Sequence, residues 1–561
     1  MIRTLTAALS AGIASLLLTI TTPANACGGF FCQTTPINQA GEQIVFRQQG
    51  NEITAMVRIL YSGSADEFSW VVPVPSSPEI SLGADTTFNE LDFATRPQFI
   101  LERRGEQCET FPPVVAPVNA STNDGDEESA NGVVIEEELE VGPFEIDIVS
   151  SDNPDDLAIW LEDNNYQLTD RGSELIAPYV TAGMKFVAVK LLDGEDTGSI
   201  QPLLMKYTSD KPVIPIRLTA VAATPDMGVL AWIVADARAV PENYEHVTPN
   251  YTRLNWFAGS FNAYASYQSL ITDAMNESDG GKGFATDYAG GITEEIASRL
   301  TTPESIESFL SDIENLNDAD FIVSSLFGSG DVAARLALLQ RQLPPQNDND
   351  QNVYLDSAAL QFLYSPQQLS AARAALLDNI VTREIEPLRN ATALLPQGAY
   401  MTRLYTTLSA EEMTLDPSFN YNSSMPEQAI ERNALLESTC TDNGTEWTLT
   451  LGEGTDRVGE VVVAANQPVP FAAAPAGVST QPAAILRQRT SADAAPELIF
   501  KADPGVLEIA ADGTIRNSGG SGVTILPDAG DDDSGFLGST GPALIILVSG
   551  FIALRRRLRM S

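Results

Sequence analysis

The chain has 561 residues, of which 43% are hydrophobic, and a formal net charge of −43 at pH 7. That apolar share excludes wholesale disorder and gives room for about two to four domains. The acidic excess repels nucleic acid and anionic lipid, so neither fits as a partner. A single histidine, His246, removes most imidazole-based catalysis and most transition-metal sites.

The first residues follow a secretory pattern. Arg3 precedes an apolar run from Ala7 to Ile20, and Ala24 and Ala26 stand just before Cys27. Residues 1–26 are therefore expected to be a signal peptide. Asn25 disfavours lipid attachment at Cys27, because lipoprotein sites prefer a small residue there. The four cysteines, Cys27, Cys32, Cys108 and Cys440, suggest two disulfides in an exported chain. Of the three connectivities, Cys27 with Cys32 and Cys108 with Cys440 is the favoured one.

From Glu42 the sequence alternates with period two. Ile53, Ala55, Val57, Ile59 and Tyr61 follow a Gly50-Asn51 turn, and Phe68, Trp70, Val72 and Val74 repeat the pattern. Further strands are expected at Val133–Ile148, Met184–Leu192, Val213–Val221 and Val229–Val234. Pro73 and Pro75 lack amide donors, so the end of that strand is expected at a sheet edge or outside the ladder. One helix interrupts, capped by Asn153 and begun by Pro154. Residues 119–131 (NASTNDGDEESAN) read as an exposed loop. These features predict an α+β fold, with an antiparallel-rich sheet domain and packed helices over 27–260.

A mainly helical region is expected over 261–440. Thr301 and Glu304 suggest a capping box, Asp331 opens another helix, and Ser365-Pro366 starts a third. A small β-rich segment follows over 441–516, then an acidic, glycine-rich tether over 517–535. The uncharged run from Phe536 to Leu554 reaches ~28 Å as a helix, near the ~30 Å of a hydrocarbon core. Arg555, Arg556, Arg557 and Arg559 come next in the stub 555–561, and basic clusters stay on the cytoplasmic side. The expectation is an exported single-pass membrane protein with its bulk outside and its C-terminus in the cytoplasm.

Three segments carry a resemblance: CGGFFC at Cys27–Cys32, VVPVP at Val71–Pro75, and the run from Ile216 to Tyr244. Together, and in this order, they resemble an uncharacterised bacterial family, domain of unknown function 2330. The resemblance spans roughly residues 27–380. It implies an exported bacterial protein, often with a C-terminal membrane helix, and supplies no catalytic residue.

Chemistry is sparse. His246 lies in PENYEHVTPNY without a nucleophile elbow, which suggests a structural or surface role. No cofactor is implied. Oxygen-rich clusters at Asp124 and Asp126, and at Asp348 and Asp350, are candidate calcium ligands, but they lack EF-hand spacing. Two functions follow: a non-enzymatic envelope or surface protein that binds a protein or glycan, or else an exported carboxylate-dependent hydrolase. The first is favoured, and a cleft holding two close acids with raised pKa values would favour the second.

Overall fold

A computed structural model describes residues 38–62, 68–105, 134–164, 166, 170–192, 200–256, 259–328, 330–345, 353–442, 444–452, 459–464, 482–502, 506–510, 515–518 and 524–525. The expected signal peptide, the loop 119–131, most of the tether and the run 536–554 lie outside them. Among the described residues no helix is long and apolar enough to cross a membrane. The expected membrane-spanning helix, the membrane attachment through it and the single-pass topology are corrected accordingly. The fold is mixed α and β, built on large sheets.

The first strands show how the sequence sets the layers. Asn38–Gln49 and Glu52–Ser62 pair antiparallel around a two-residue loop in which Gly50 takes φ 65°, a conformation that favours glycine. Along these strands Ile44, Phe46, Ala55 and Val57 enter one apolar core, while Val45 and Met56 enter another on the opposite face. The Ala223–Ala235 strand divides the same way. Val229, Ala231 and Ile233 face one core, and Leu230, Trp232 and Val234 face the other. A strand buried on both faces must lie in the middle of the molecule. Each fully buried large apolar side chain here contributes about 1.5–3 kcal/mol.

These strands belong to an eleven-stranded sheet. It is mixed: Asn38–Gln49 runs parallel to Ala223–Ala235, which runs antiparallel to Tyr400–Leu408. On one face lies a four-stranded sheet in the order Ser69–Val74, Lys185–Leu191, Phe144–Ser150, Val134–Val141. The outer face of this smaller sheet is covered by helices Pro154–Asp163 and Asp170–Thr181, through Leu157, Trp160, Ile176 and Val180. The opposite face of the large sheet carries helices between Gly259 and Ala393, together with a six-stranded sheet. The layers therefore run helix, small sheet, large sheet, then helices with the third sheet.

Several expectations are met. Ser69–Val74 pairs on one side only, so Pro73 does sit on an edge strand. Asn153, Asp331 and Ser365 cap their helices, the last with Gln368 in a capping box. Val72 and Val74 share one core with Ile216, Val229 and Ile233.

Others are corrected. Val213–Val221 is not a strand: Pro215 precedes a short helix, Ile216–Thr219. Its alternating apolar residues reflect burial on two sides, with Ile216 and Leu218 in different cores. Where one strand was expected over 133–148, Val134–Val141 and Phe144–Ser150 form a hairpin that turns at Gly142, φ 62°. Thr301 does not cap; the helix begins at Pro303 and the Thr301 hydroxyl donates to Glu90. Strands Gly283–Gly291 and Tyr400–Leu408 occur within 261–440 and pair with each other. Strands Ala484–Arg489 and Glu497–Lys501 enter the large sheet, and Glu431–Thr441 pairs with Gln98–Gly105. Only one of the four cysteines, Cys440, lies among the described residues, so no cysteine pair is seen there; Cys440 itself is in the disulfide-bonded form.

One helix is locally widened. Pro387 cannot donate to the carbonyl of Arg383, and the backbone forms a π-helical turn over Val381–Ile385. The Arg383 carbonyl accepts instead from Gln201 Nε2 at 2.7 Å.

Candidate functional site

Between the large and small sheets the cores do not close completely. A cavity of about 270 Å³ remains, near the lower end of small-molecule sites. Its floor is the large sheet, through Ile44, Phe46, Ala55, Val57, Met205 and Tyr207. Its roof is the edge strand Ser69–Val74, through Trp70, Val72 and Val74. The third wall comes from Pro178 and Tyr179 of the helix Asp170–Thr181, from Ala182 just after it, and from the short helix Ile216–Thr219. Most of this surface is apolar.

The polar groups gather at one wall. Asp416 accepts from the Tyr179 hydroxyl at 2.8 Å and from the Arg217 amide at 3.1 Å, so it caps the first turn of Ile216–Thr219 from a distant loop. That loop is held by Asn243, which donates to the Asp416 carbonyl at 2.7 Å, and by Tyr244, which donates to the Leu415 carbonyl at 2.7 Å. Burial raises the Asp416 carboxyl above its ordinary range, against the lowering effect of the Tyr179 hydrogen bond. Burial likewise raises the Tyr179 and Tyr207 phenols, which stay protonated. Lys211, also on the wall, pairs with Glu242, whose carboxyl is lowered by that bond. Glu42 completes the set and is buried.

A family model described as "Uncharacterized protein conserved in bacteria (DUF2330)" matches residues 21–307. The chain belongs to this family. No curated protein and no solved structure matches it. The part matched to DUF2330 contains the three segments singled out in the sequence. Two of them, Val71–Pro75 and the start of Ile216–Tyr244, build cavity walls, and the end of the latter pins Asp416.

Two further clusters of titratable groups of this DUF2330 chain lie buried among the described residues. His246 is buried within the strand Glu245–Pro249. Its Nδ1 lies 3.1 Å from the Gln488 side-chain amide and its Nε2 lies 2.9 Å from the Thr286 hydroxyl and 3.5 Å from Arg238 Nη2. Burial and the nearby Arg238 lower its pKa to about 3, and the ring stays neutral. A second cluster lies on the far face of the large sheet, at the bulge where Asp287 interrupts the pairing of Gly283–Gly291 with Tyr400–Leu408. Arg403 Nε reaches Asp287 at 3.0 Å and its Nη2 reaches Asp92 at 2.6 Å. Tyr267 donates to Asp287, and Arg432 donates to the Asp287 carbonyl at 2.9 Å. Burial raises Asp287, opposed by Arg403. Two carboxylates bridged by one guanidinium leave no room for a substrate between them, which is not the arrangement of a glycosidase pair.

The calcium candidates Asp124, Asp126, Asp348 and Asp350 lie outside the described residues. So do Cys27, Cys32 and Cys108. Among the described residues no group of three or more His, Cys, Asp or Glu is arranged to hold a metal ion. Sequence reasoning missed Arg217 and Asp416 because they meet only after folding. The Val71–Pro75 and Ile216–Tyr244 segments were the signal that could have found the cavity.

Proposed function

We propose that this protein is a non-enzymatic binding protein whose inter-sheet cavity takes a small, mainly apolar molecule. The observation that carries the reading is the cavity lining: side chains of both sheets face each other across open space where two sheets normally interdigitate. An empty gap of this kind forfeits dispersion contacts, and a bound apolar molecule restores them. The lining favours an apolar ligand over a glycan, which needs many hydrogen-bonding groups. It also disfavours an added peptide strand, because Pro73 and Pro75 remove donors from the roof.

The test is titration of the purified full chain with 1-aminoanthracene, a neutral apolar fluorophore, against the variant Ala55→Phe. Ala55 is buried on the cavity floor, so a phenyl ring there fills the space. Saturable enhancement of fluorescence is expected in the wild type, with at least a ten-fold loss of affinity in the variant. Equal binding by a folded Ala55→Phe protein, or no saturable binding by the wild type, sinks the reading.

A further inference from the structure

Arg217 differs from the other charged groups at the cavity. Its backbone amide is bonded to Asp416, but its guanidinium makes no hydrogen bond among the described residues; its Nε is buried without one, and the closest carboxylate oxygen of Asp416 is 3.9 Å away. The side chain retains 26% of its surface and forms part of the cavity lining. A guanidinium offers five donors in a rigid fork, and leaving them unused in a partly desolvated wall is costly unless a ligand accepts from them.

The charge of the wall decides what kind of acceptor fits. Arg217 already stands beside Asp416, and Lys211 is paired with Glu242. Glu42 adds a further carboxylate to the lining. The cations are thus balanced by acids, and an anionic group entering here would face two carboxylates in a medium of low dielectric. A neutral carbonyl accepts from Arg217 without meeting that repulsion.

The geometry points to a ligand that is uncharged, apolar over most of its length, and carries a carbonyl-type oxygen received by the Arg217 guanidinium. This rests on the apolar-cavity reading above and specifies its polar end. The polar wall then acts as an orienting end-stop. The body of the ligand fills the space between the sheets, and Arg217 fixes which end enters first.

The experiment uses three compounds of closely similar size as competitors against 1-aminoanthracene on the full chain: 4-phenylbutan-2-one, butylbenzene and 3-phenylpropanoate. The ketone is expected to bind about ten-fold more tightly than the hydrocarbon, as for a hydrogen bond to a charged group, and the carboxylate to bind most weakly. In Arg217→Met the ratio of ketone to hydrocarbon affinity should fall to about one, and in Arg217→Lys it should be partly kept. Tightest binding of the carboxylate, or equal binding of ketone and hydrocarbon by the wild type, overturns the inference without any variant. An unchanged ratio in a folded Arg217→Met protein does so as well. Failure of all three compounds and of the fluorophore to bind is a different result: it removes the cavity reading itself, and this inference with it.

Discussion

Replacing Glu384 by alanine should destabilise the protein by about 3–5 kcal/mol, the cost of leaving a buried charge without its counter-ion. The estimate follows from the surroundings of Arg335, whose side chain is 0% exposed and whose partner Glu384 is 6% exposed. Nε and Nη2 of Arg335 each meet a different oxygen of Glu384 at 2.7 Å, and Nη1 donates to the Ser325 carbonyl at 2.7 Å. The same carboxylate accepts the Asp331 amide at 2.9 Å, at the cap of the helix Val332–Gln342. Alanine therefore removes both acceptors of the fork and the partner of a cap amide at once. Replacing both members, Arg335→Met with Glu384→Leu, removes the charge together with its counter-ion and should recover most of the loss. Urea unfolding followed by far-ultraviolet circular dichroism measures both. A single-variant loss below about 1 kcal/mol, or a double variant less stable than the single, would refute the reasoning.

Two pH-dependent effects follow from the small sheet. Glu136 is lowered to about 2, first by its hydrogen bond from Lys185 and then by those from Ser77 and Ser150. A depressed carboxyl stabilises the fold above its unfolded pKa and loses that contribution as pH falls through its folded one. The melting temperature of Glu136→Gln should thus lie below wild type at pH 7, with the gap closing between pH 4.5 and about 2; a gap independent of pH counts against the Lys185 pairing. Asp147 is raised to about 6 by burial, with Lys190 opposing and Glu145 and Glu138 adding to the rise. Here ionisation disfavours the fold, so the penalty grows from about pH 4 to 6 and is complete above. Asp147→Asn should melt higher than wild type at pH 7.5 and equal to it near pH 4; equal melting at both values contradicts the assignment.

The parts of the fold visible in the sequence were those governed by neighbours along the chain. The Gly50-Asn51 turn, the alternation through Val57, and the caps at Asn153, Asp331 and Ser365 depend on a few adjacent residues. Pro73 marked an edge strand because a missing amide is a local fact with a topological consequence. Strands without a local signature stayed hidden. Gly283–Gly291 has only Phe284 and Tyr288 as large apolar residues, set among small ones, and is broken by the Asp287 bulge. Tyr400–Leu408 is buried on both faces with Thr402, Arg403 and Thr406 inside, so its polar residues mask the usual pattern. The Val213–Val221 segment misled because two-sided burial imitates alternation. The candidate site was only half legible. Its roof and one wall fall in segments the sequence singled out, but Glu42, Tyr207 and Asp416 join them through contacts that no spacing encodes.

The position of the Ala223–Ala235 strand also sets a schedule for synthesis. One of its neighbours, Asn38–Gln49, has long left the ribosome when it emerges, but the other, Tyr400–Leu408, follows only after the whole series of helices that covers the large sheet. At ~5–20 residues per second the nascent chain holds this strand with one edge open for on the order of ten seconds. During that interval Trp232 and its neighbours lack the layer that buries them, and the open edge can pair with another chain. Expression that slows translation between Ala235 and Tyr400, or stops within that stretch, should therefore favour aggregates over soluble fragments.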